Sequence, residues 1–260
     1  MRNAIAALAV LAGIAAPAAA GAQTVAALID GDRLAMIDVA TRKVVATMPI
    51  KGAPGALVGI DVRPADGMLY GLAVDGTVVT LDARSGQATV RTKLEAMVPA
   101  GTWATMDFNP VADRLRVIGA DGTNLRANVD DGKVVRDGAL KFAETDMHKG
   151  KAPMVAAGAY TNSMKGAKET TLFDIDTNIG ALLRQAPPND GVLVSVGMLG
   201  ITVKGAAFDI AADATGGNAG WLVSDGRLYR VDVTTGKATE AGPITGLTGT
   251  VRKIAVLPAG

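Results

Sequence analysis

The sequence of 260 residues contains no cysteine, which removes disulfides, thiol catalysis, zinc fingers, iron–sulfur ligation and a lipidated-cysteine anchor. It has one histidine, His148, so a multi-histidine metal site cannot form. Serine occurs only at Ser85, Ser163, Ser195 and Ser224, none of them in a G-x-S-x-G setting, which argues against that nucleophile. Two Trp, three Tyr and four Phe are too few for a sugar site built on stacking platforms. An excess of either charge is missing as well. Lys and Arg number 26 against 25 Asp and Glu, and removing Arg2 with the leader described next leaves a neutral chain. The basic footprint of a nucleic-acid binder and the acidic run of a disordered tail are both lacking, so no nucleic-acid partner is expected.

Long apolar runs are equally scarce. After Arg2, residues Ala4 to Ala16 are small and apolar, and Pro17 ends the run. This stretch falls well short of the ~20 residues that cross a bilayer, and nothing later qualifies, so no membrane span is expected. Ala18-Ala19-Ala20 or Ala20-Gly21-Ala22 supplies the small residues of a cleavage site. Residues 1–22 therefore read as a signal peptide and 23–260 as one domain, secreted or periplasmic, starting near Gly21 or Gln23. Without disulfides such a domain is held by packing alone, and 49% apolar residues can supply the core.

What the sequence does have is repetition. Asp30-Gly31, Asp75-Gly76, Asp121-Gly122 and Asp225-Gly226 each open a short alternating segment: DRLAMIDVATR (32–42), TVVTLDARSG (77–86), TNLRANVDDG (123–132) and RLYRVDVTTG (227–236). Asp-Gly between apolar runs signals a hairpin, because glycine accepts the positive φ of a primed turn. A second marker recurs as GIDVRP (59–64), TMDFNP (105–110), GAYTN (158–162), AAFDIA (206–211) and KIAVLP (253–258). Its central position falls at Asp61, Asp107, Ala159, Asp209 and Ala255, in steps of 46, 52, 50 and 46 residues. That spacing holds four short strands, and five copies predict an all-β chain, a β-propeller of five four-stranded blades. The last marker has no strands after it and the segment from Thr24 has no marker before it. Pairing the two completes a blade, with the C-terminal strand innermost, and closes the ring. Six blades would require further strands hidden in Lys141–Ala157. No helix competes seriously: Leu94–Val98 and Phe142–His148 offer at most a turn each.

The segments NPVADRLRV (109–117), NLRANVDDG (124–132), DGAL (137–140), AYTN (159–162), TTLFDIDT (170–177) and PPNDG (187–191), taken in order, resemble the bacterial secreted family named domain of unknown function 4394. The resemblance spans roughly the whole mature chain. It implies an exported, propeller-like repeat and carries no activity with it.

Residues able to do chemistry gather in three places. In blade three, Arg114 and Arg116 alternate with Leu115 and Val117, while Asn124, Arg126 and Asn128 alternate with Leu125, Ala127 and Val129. Neighbouring blades cover both faces, so these arginines need carboxylates, for which Asp107, Asp113, Asp130 and Asp131 are near in sequence. The set reads either as a hydrogen-bond network between blades or as a pocket gripping a carboxylate or phosphate. Asp61, Asp107 and Asp209 recur on the innermost strands, where they either accept backbone N–H bonds or bind a calcium ion through oxygen. Tyr160, Thr161 and Asn162 replace the Asp and Pro of the marker in blade four, and Asn189-Asp190-Gly191 after Pro187-Pro188 forms a rigid turn that could project an amide onto a rim. Glu144, Asp146 and His148 alternate like ligands but lie in a polar loop and read as solvated. Without nucleophile, histidine dyad or cofactor motif, the chain reads as a non-enzymatic binding module for a protein or a small-molecule ligand, needing no cofactor. Arg114, Arg116, Arg126, Tyr160, Asn162 and Asn189 are its candidate contacts. The alternative is a metal- or carboxylate-dependent hydrolase of a lactone or glycoside using the axial aspartates.

Overall fold

The computed structural model describes residues 23–212 and 216–258; the expected signal peptide, 1–22, lies outside the described residues. Five antiparallel sheets form five blades. Blade one is built from both ends of the chain, in the order Val251–Val256, Thr24–Ile29, Arg33–Asp38 and Lys43–Pro49 from the axis outward. Blade two comprises Leu57–Val62, Leu69–Ala73, Thr77–Leu81 and Ala88–Lys93; blade three comprises Ala104–Asn109, Arg114–Gly119, Asn124–Ala127 and Val134–Arg136. Blade four comprises Val155–Tyr160, Leu172–Asp176, Ala181–Gln185 and Val192–Met198, and blade five Ala207–Ala212, Asn218–Ser224, Arg227–Val231 and Ala238–Pro243. The chain is a five-bladed β-propeller closed by the pairing of its N- and C-terminal strands, Val25 opposite Val256 and Leu28 opposite Lys253. The stretch from 141 to 157, where a sixth blade would have needed strands, gives blade four an outer strand instead. Lys141–Phe142 runs parallel to Val192–Met198. Among the described residues there is no α-helix, only a 3-10 turn at Pro188–Asp190, and no helix long and apolar enough to cross a membrane.

The four Asp-Gly pairs join the second and third strands of their blades. Both residues have positive φ at Asp30-Gly31 (54° and 94°) and Asp225-Gly226 (50° and 70°), the conformation of a primed turn. Blade four has no Asp-Gly between its second and third strands; there Asp176 Oδ1 accepts the N–H groups of Asn178 and Ile179 and Gly180 turns the chain. In blades two and three the loop between the third and fourth strands carries a glycine for a packing reason. At Gly86 and Gly132, with φ of 74° and 78°, a Cβ would lie 2.3 Å from the carbonyl oxygen of Pro49 or Lys93 on the preceding blade. Only glycine lets the blades approach this closely.

The inner strands bury both faces, because every sheet is sandwiched between two others, while outermost strands such as Lys43–Pro49 and Ala88–Lys93 are largely exposed. One apolar cluster fills each of the five blade interfaces. In blade four, Phe173 and Ile175 face blade five, while Leu172 packs toward blade three. The interface between blades three and four has the smallest cluster, nine buried apolar residues against ten to thirteen elsewhere among the described residues. Polar groups take up the remaining contact there.

Candidate functional site

The innermost strands bring Asp61, Asp107 and Asp209 to the axis, where carboxylate oxygens of all three lie within 4.8 Å of one another. Their bonds form a ring. Asp61 accepts its own neighbour's N–H, Val62, at 2.8 Å and that of Phe108 in the next blade at 2.7 Å. Asp107 accepts Tyr160 N–H of the following blade at 2.9 Å. Asp209 accepts Ile210 N–H at 2.7 Å and, across the closure, Val256 N–H at 2.6 Å. Each of these N–H groups follows the central marker position of its blade. Five inner-strand N–H groups thus use five of the six carboxylate oxygens, and the sixth, Asp107 Oδ2, accepts Lys253 Nζ at 3.0 Å. This count explains why three markers carry aspartate while Ala159 and Ala255 suffice in the other two.

Lys253 completes its bonding with the carbonyls of Gly158 at 2.9 Å and Phe208 at 2.8 Å. Its ammonium is the positive charge of the cluster. Burial drives the Asp61 carboxyl well above the usual range, reinforced by repulsion from Asp107 and Asp209. Asp107 and Asp209 are also raised by burial, against the pull of Lys253. Burial alone would lower Lys253, but the attraction of Asp107, Asp209 and Asp61 outweighs it and its pKa ends above the ordinary value. One ammonium cannot hold so many buried carboxyls ionised, so part of the cluster carries protons. The sequence reading missed Lys253. A lysine at an inward-facing position of the innermost strand Val251–Val256, two residues before the marker centre Ala255, is the signal that could have found it.

Asp174 lies deeper between blades three and four. It is fully buried, and neither carboxyl oxygen has a hydrogen-bond partner; across the interface Thr105 Oγ1 is also unpaired. Burial pushes the Asp174 carboxyl up to about 8, with Arg116 opposing. Its Oδ1 packs where a side chain on Gly158 would begin, 2.4 Å from that Cβ position.

The blade-three arginines form a latch whose carboxylate is Asp137, not the aspartates nearest them in sequence. Arg116, 2% exposed, donates to Asp137 at 2.6 Å, Asn124 at 2.8 Å, Asn189 at 2.8 Å and Tyr160 Oη at 3.2 Å. Arg126 grips both oxygens of Asp137, at 2.9 and 3.0 Å. Burial would raise Asp137, but hydrogen bonds from Arg126 and Arg116 overcome it and lower the pKa. Asn124 also donates to Pro188 O at 3.0 Å, so the turn carrying Asn189 is pinned onto blade three. Arg114 stands apart, donating to the backbone carbonyls of Asp113 and Ala112. Asp113 and Asp130 instead clamp Arg63 of blade two with bonds of 2.7 to 2.9 Å.

Asn162 belongs to a separate contact. Its N–H donates to Asn218 Oδ1 at 2.7 Å and its Oδ1 accepts Asn218 Nδ2 at 2.9 Å, tying blade four to blade five. The structure therefore brings Arg116, Arg126, Tyr160 and Asn189 together with Asp137, and leaves Arg114 and Asn162 elsewhere. In the loop of Glu144 and His148, Asp146 accepts Ser195 N–H at 2.6 Å and His148 N–H at 2.8 Å, fastening the loop to blade four.

Closed ring, carboxylate-lined axis and polar latch define a propeller whose buried charged residues mostly join blades. The chain belongs to the family described as Domain of unknown function (DUF4394), which matches residues 33–255. No curated protein matches it. A structural genomics protein of unknown function from Bacteroides thetaiotaomicron VPI-5482 is similar in fold, with a TM-score of 0.58 and 16% identity over 94% of this chain and 64% of that one. A protein of unknown function from Bacteroides caccae aligns with a TM-score of 0.47 and 12% identity, over 91% of this chain and 99% of that one.

Proposed function

We propose that the protein is an exported, non-enzymatic binding module that presents ligand or partner contacts on a rim of the disc. The observation that carries this reading is the use of the axial carboxylates: every oxygen of Asp61, Asp107 and Asp209 is engaged by a strand N–H or by Lys253. A catalytic carboxylate needs an oxygen free to take or give a proton at a reacting atom. Arg116 is spent in the same way, on Asp137, Asn124, Asn189 and Tyr160. These chemistry-bearing side chains thus serve the ring, and the loops at its two ends remain for recognition. Export rests on the Arg2 and Ala4–Ala16 pattern.

The hydrolase reading keeps one observation in its favour, the approach of three carboxylates to within 4.8 Å, a set that could hold a calcium ion through oxygen. Turnover of aryl glycosides and lactones by the purified mature chain, with calcium or with chelator, separates the two. No turnover and an unchanged melting temperature with calcium support the binding module. Turnover abolished in a folded Asp209→Asn variant would overturn it. Export is tested by the N-terminal mass of protein recovered outside the cytoplasm of the producing cell. A start at Gly21 or Gln23 supports the proposal, and a retained Met1 refutes it.

A further inference from the structure

The inner strands of blades one, two and four each carry a β-bulge at the same repeat position, three residues before the marker centre. The bulged residues are Arg252, Val58 and Ala156. In blade three the equivalent residue, Ala104, is paired with Gly119, and in blade five the inner strand begins one residue after this position, at Ala207. A bulge leaves one residue outside the ladder and re-aims its side chain. In blade one that residue is an arginine, and its guanidinium lies over the ring of Trp103, 5.2 Å from the centroid. Trp103 precedes the inner strand of blade three, so the contact reaches two blades away and spans the axis at the end where the inner strands begin. The ring is itself fixed, because Trp103 Nε1 donates to the carbonyl of the bulged Ala156 at 3.0 Å.

Arg252 differs from the other arginines of the interior in what it lacks. Arg63, Arg116 and Arg126 all have carboxylate partners. Among the described residues the side chain of Arg252 has no ion pair, and its Nε is buried without a hydrogen-bond partner. Asp30 feels its charge but is bonded to Arg33 and to Thr250 N–H. A buried, unsatisfied N–H costs about 1–3 kcal/mol. A guanidinium that meets an aromatic ring through its face leaves its outer Nη1–Nη2 edge to a two-oxygen anion, and Arg252 is part-exposed. The other such contact, Arg230 over Trp221, has an exposed arginine and no buried unpaired donor.

We infer that Arg252, held by Trp103 in the axial mouth, binds the carboxylate of a small organic acid whose apolar body rests against Trp103, Val58 and Ala156. This gives the binding-module reading a ligand class and a place, and it rests on that reading for its biological meaning. The protein has two tryptophans, so a Trp221→Phe variant reports on Trp103 alone. Titrating it with sodium hexanoate at constant ionic strength is expected to give a saturable change in emission. Adding Arg252→Gln should weaken binding about tenfold or more, and Arg252→Lys, which keeps the charge without the fork, should weaken it as well. Arg230→Gln should change nothing. The proposal fails if emission does not saturate, if Arg252→Gln and Arg252→Lys titrate like the parent, or if inorganic phosphate binds as well as hexanoate. Failure here with no hydrolase turnover leaves the binding module standing without this site.

Discussion

Lys253 Nζ of blade one lies 3.0 Å from Asp107 Oδ2 of blade three, and the two side chains are 1% and 4% exposed. Blades one and three are not neighbours, so the pair ties the closure strand to the far side of the ring. Removing one partner of a buried pair leaves an uncompensated charge, at a cost of about 3–5 kcal/mol. Lys253→Met is therefore expected to lower the free energy of unfolding in urea by that amount. Lys253→Met combined with Asp107→Asn should recover part of it, because the stranded carboxylate is gone. Equal losses for the single and double variants would contradict this.

Stability should fall as pH rises from about 5 to about 8. Asp174 is raised to about 8, and Asp61, Asp107 and Asp209 are raised as well. An acid with a raised folded pKa binds more protons folded than unfolded. Its contribution is complete below the unfolded value near 4 and is lost as pH climbs through the folded value. Melting temperatures across a buffer series should decline over this window, by an equivalent of a few kcal/mol. Asp174→Asn, neutral at every pH, should flatten the decline and stabilise the protein most at pH 8. A variant curve parallel to the parent's would refute the assignment.

Asp137 should behave in the opposite sense. Its pKa is lowered, so its contribution is present above pH 4 and lost as pH falls through the folded value. Asp137→Asn strands Arg116 in the interior and is expected to cost about 3–5 kcal/mol near neutral pH. Arg126, with 32% of its side chain exposed, is the lesser partner. Arg126→Gln should cost about 1 kcal/mol or less. Chemical denaturation of the two variants checks the order.

Ending the chain at Gly249 removes the innermost strand of blade one, Val251–Val256, and with it Lys253 and the N–H that Asp209 accepts. Thr24–Ile29 would then be an unpaired strand edge facing the axis. The truncated protein should lose its cooperative thermal transition, as followed by circular dichroism. Retention of a sharp transition near that of the full chain would show that ring closure does not govern folding.

The sequence alone determined what is periodic. Asp-Gly turns, the marker spacing and the alternation within strands are local or repeated signals, and from them followed five blades and the pairing of chain ends. Asp61, Asp107 and Asp209 were legible for the same reason, being repeat positions. What the tertiary structure alone decided is which residues share a charge. Asp137 rather than Asp113 or Asp130 pairs with Arg116, because the strand from 134 to 136 turns back beside the one that carries Arg126. Asp113 and Asp130 meet Arg63 of the preceding blade. Lys253 finds its partners only once the ring is closed, and a contact made across an axis leaves no fixed spacing along the chain.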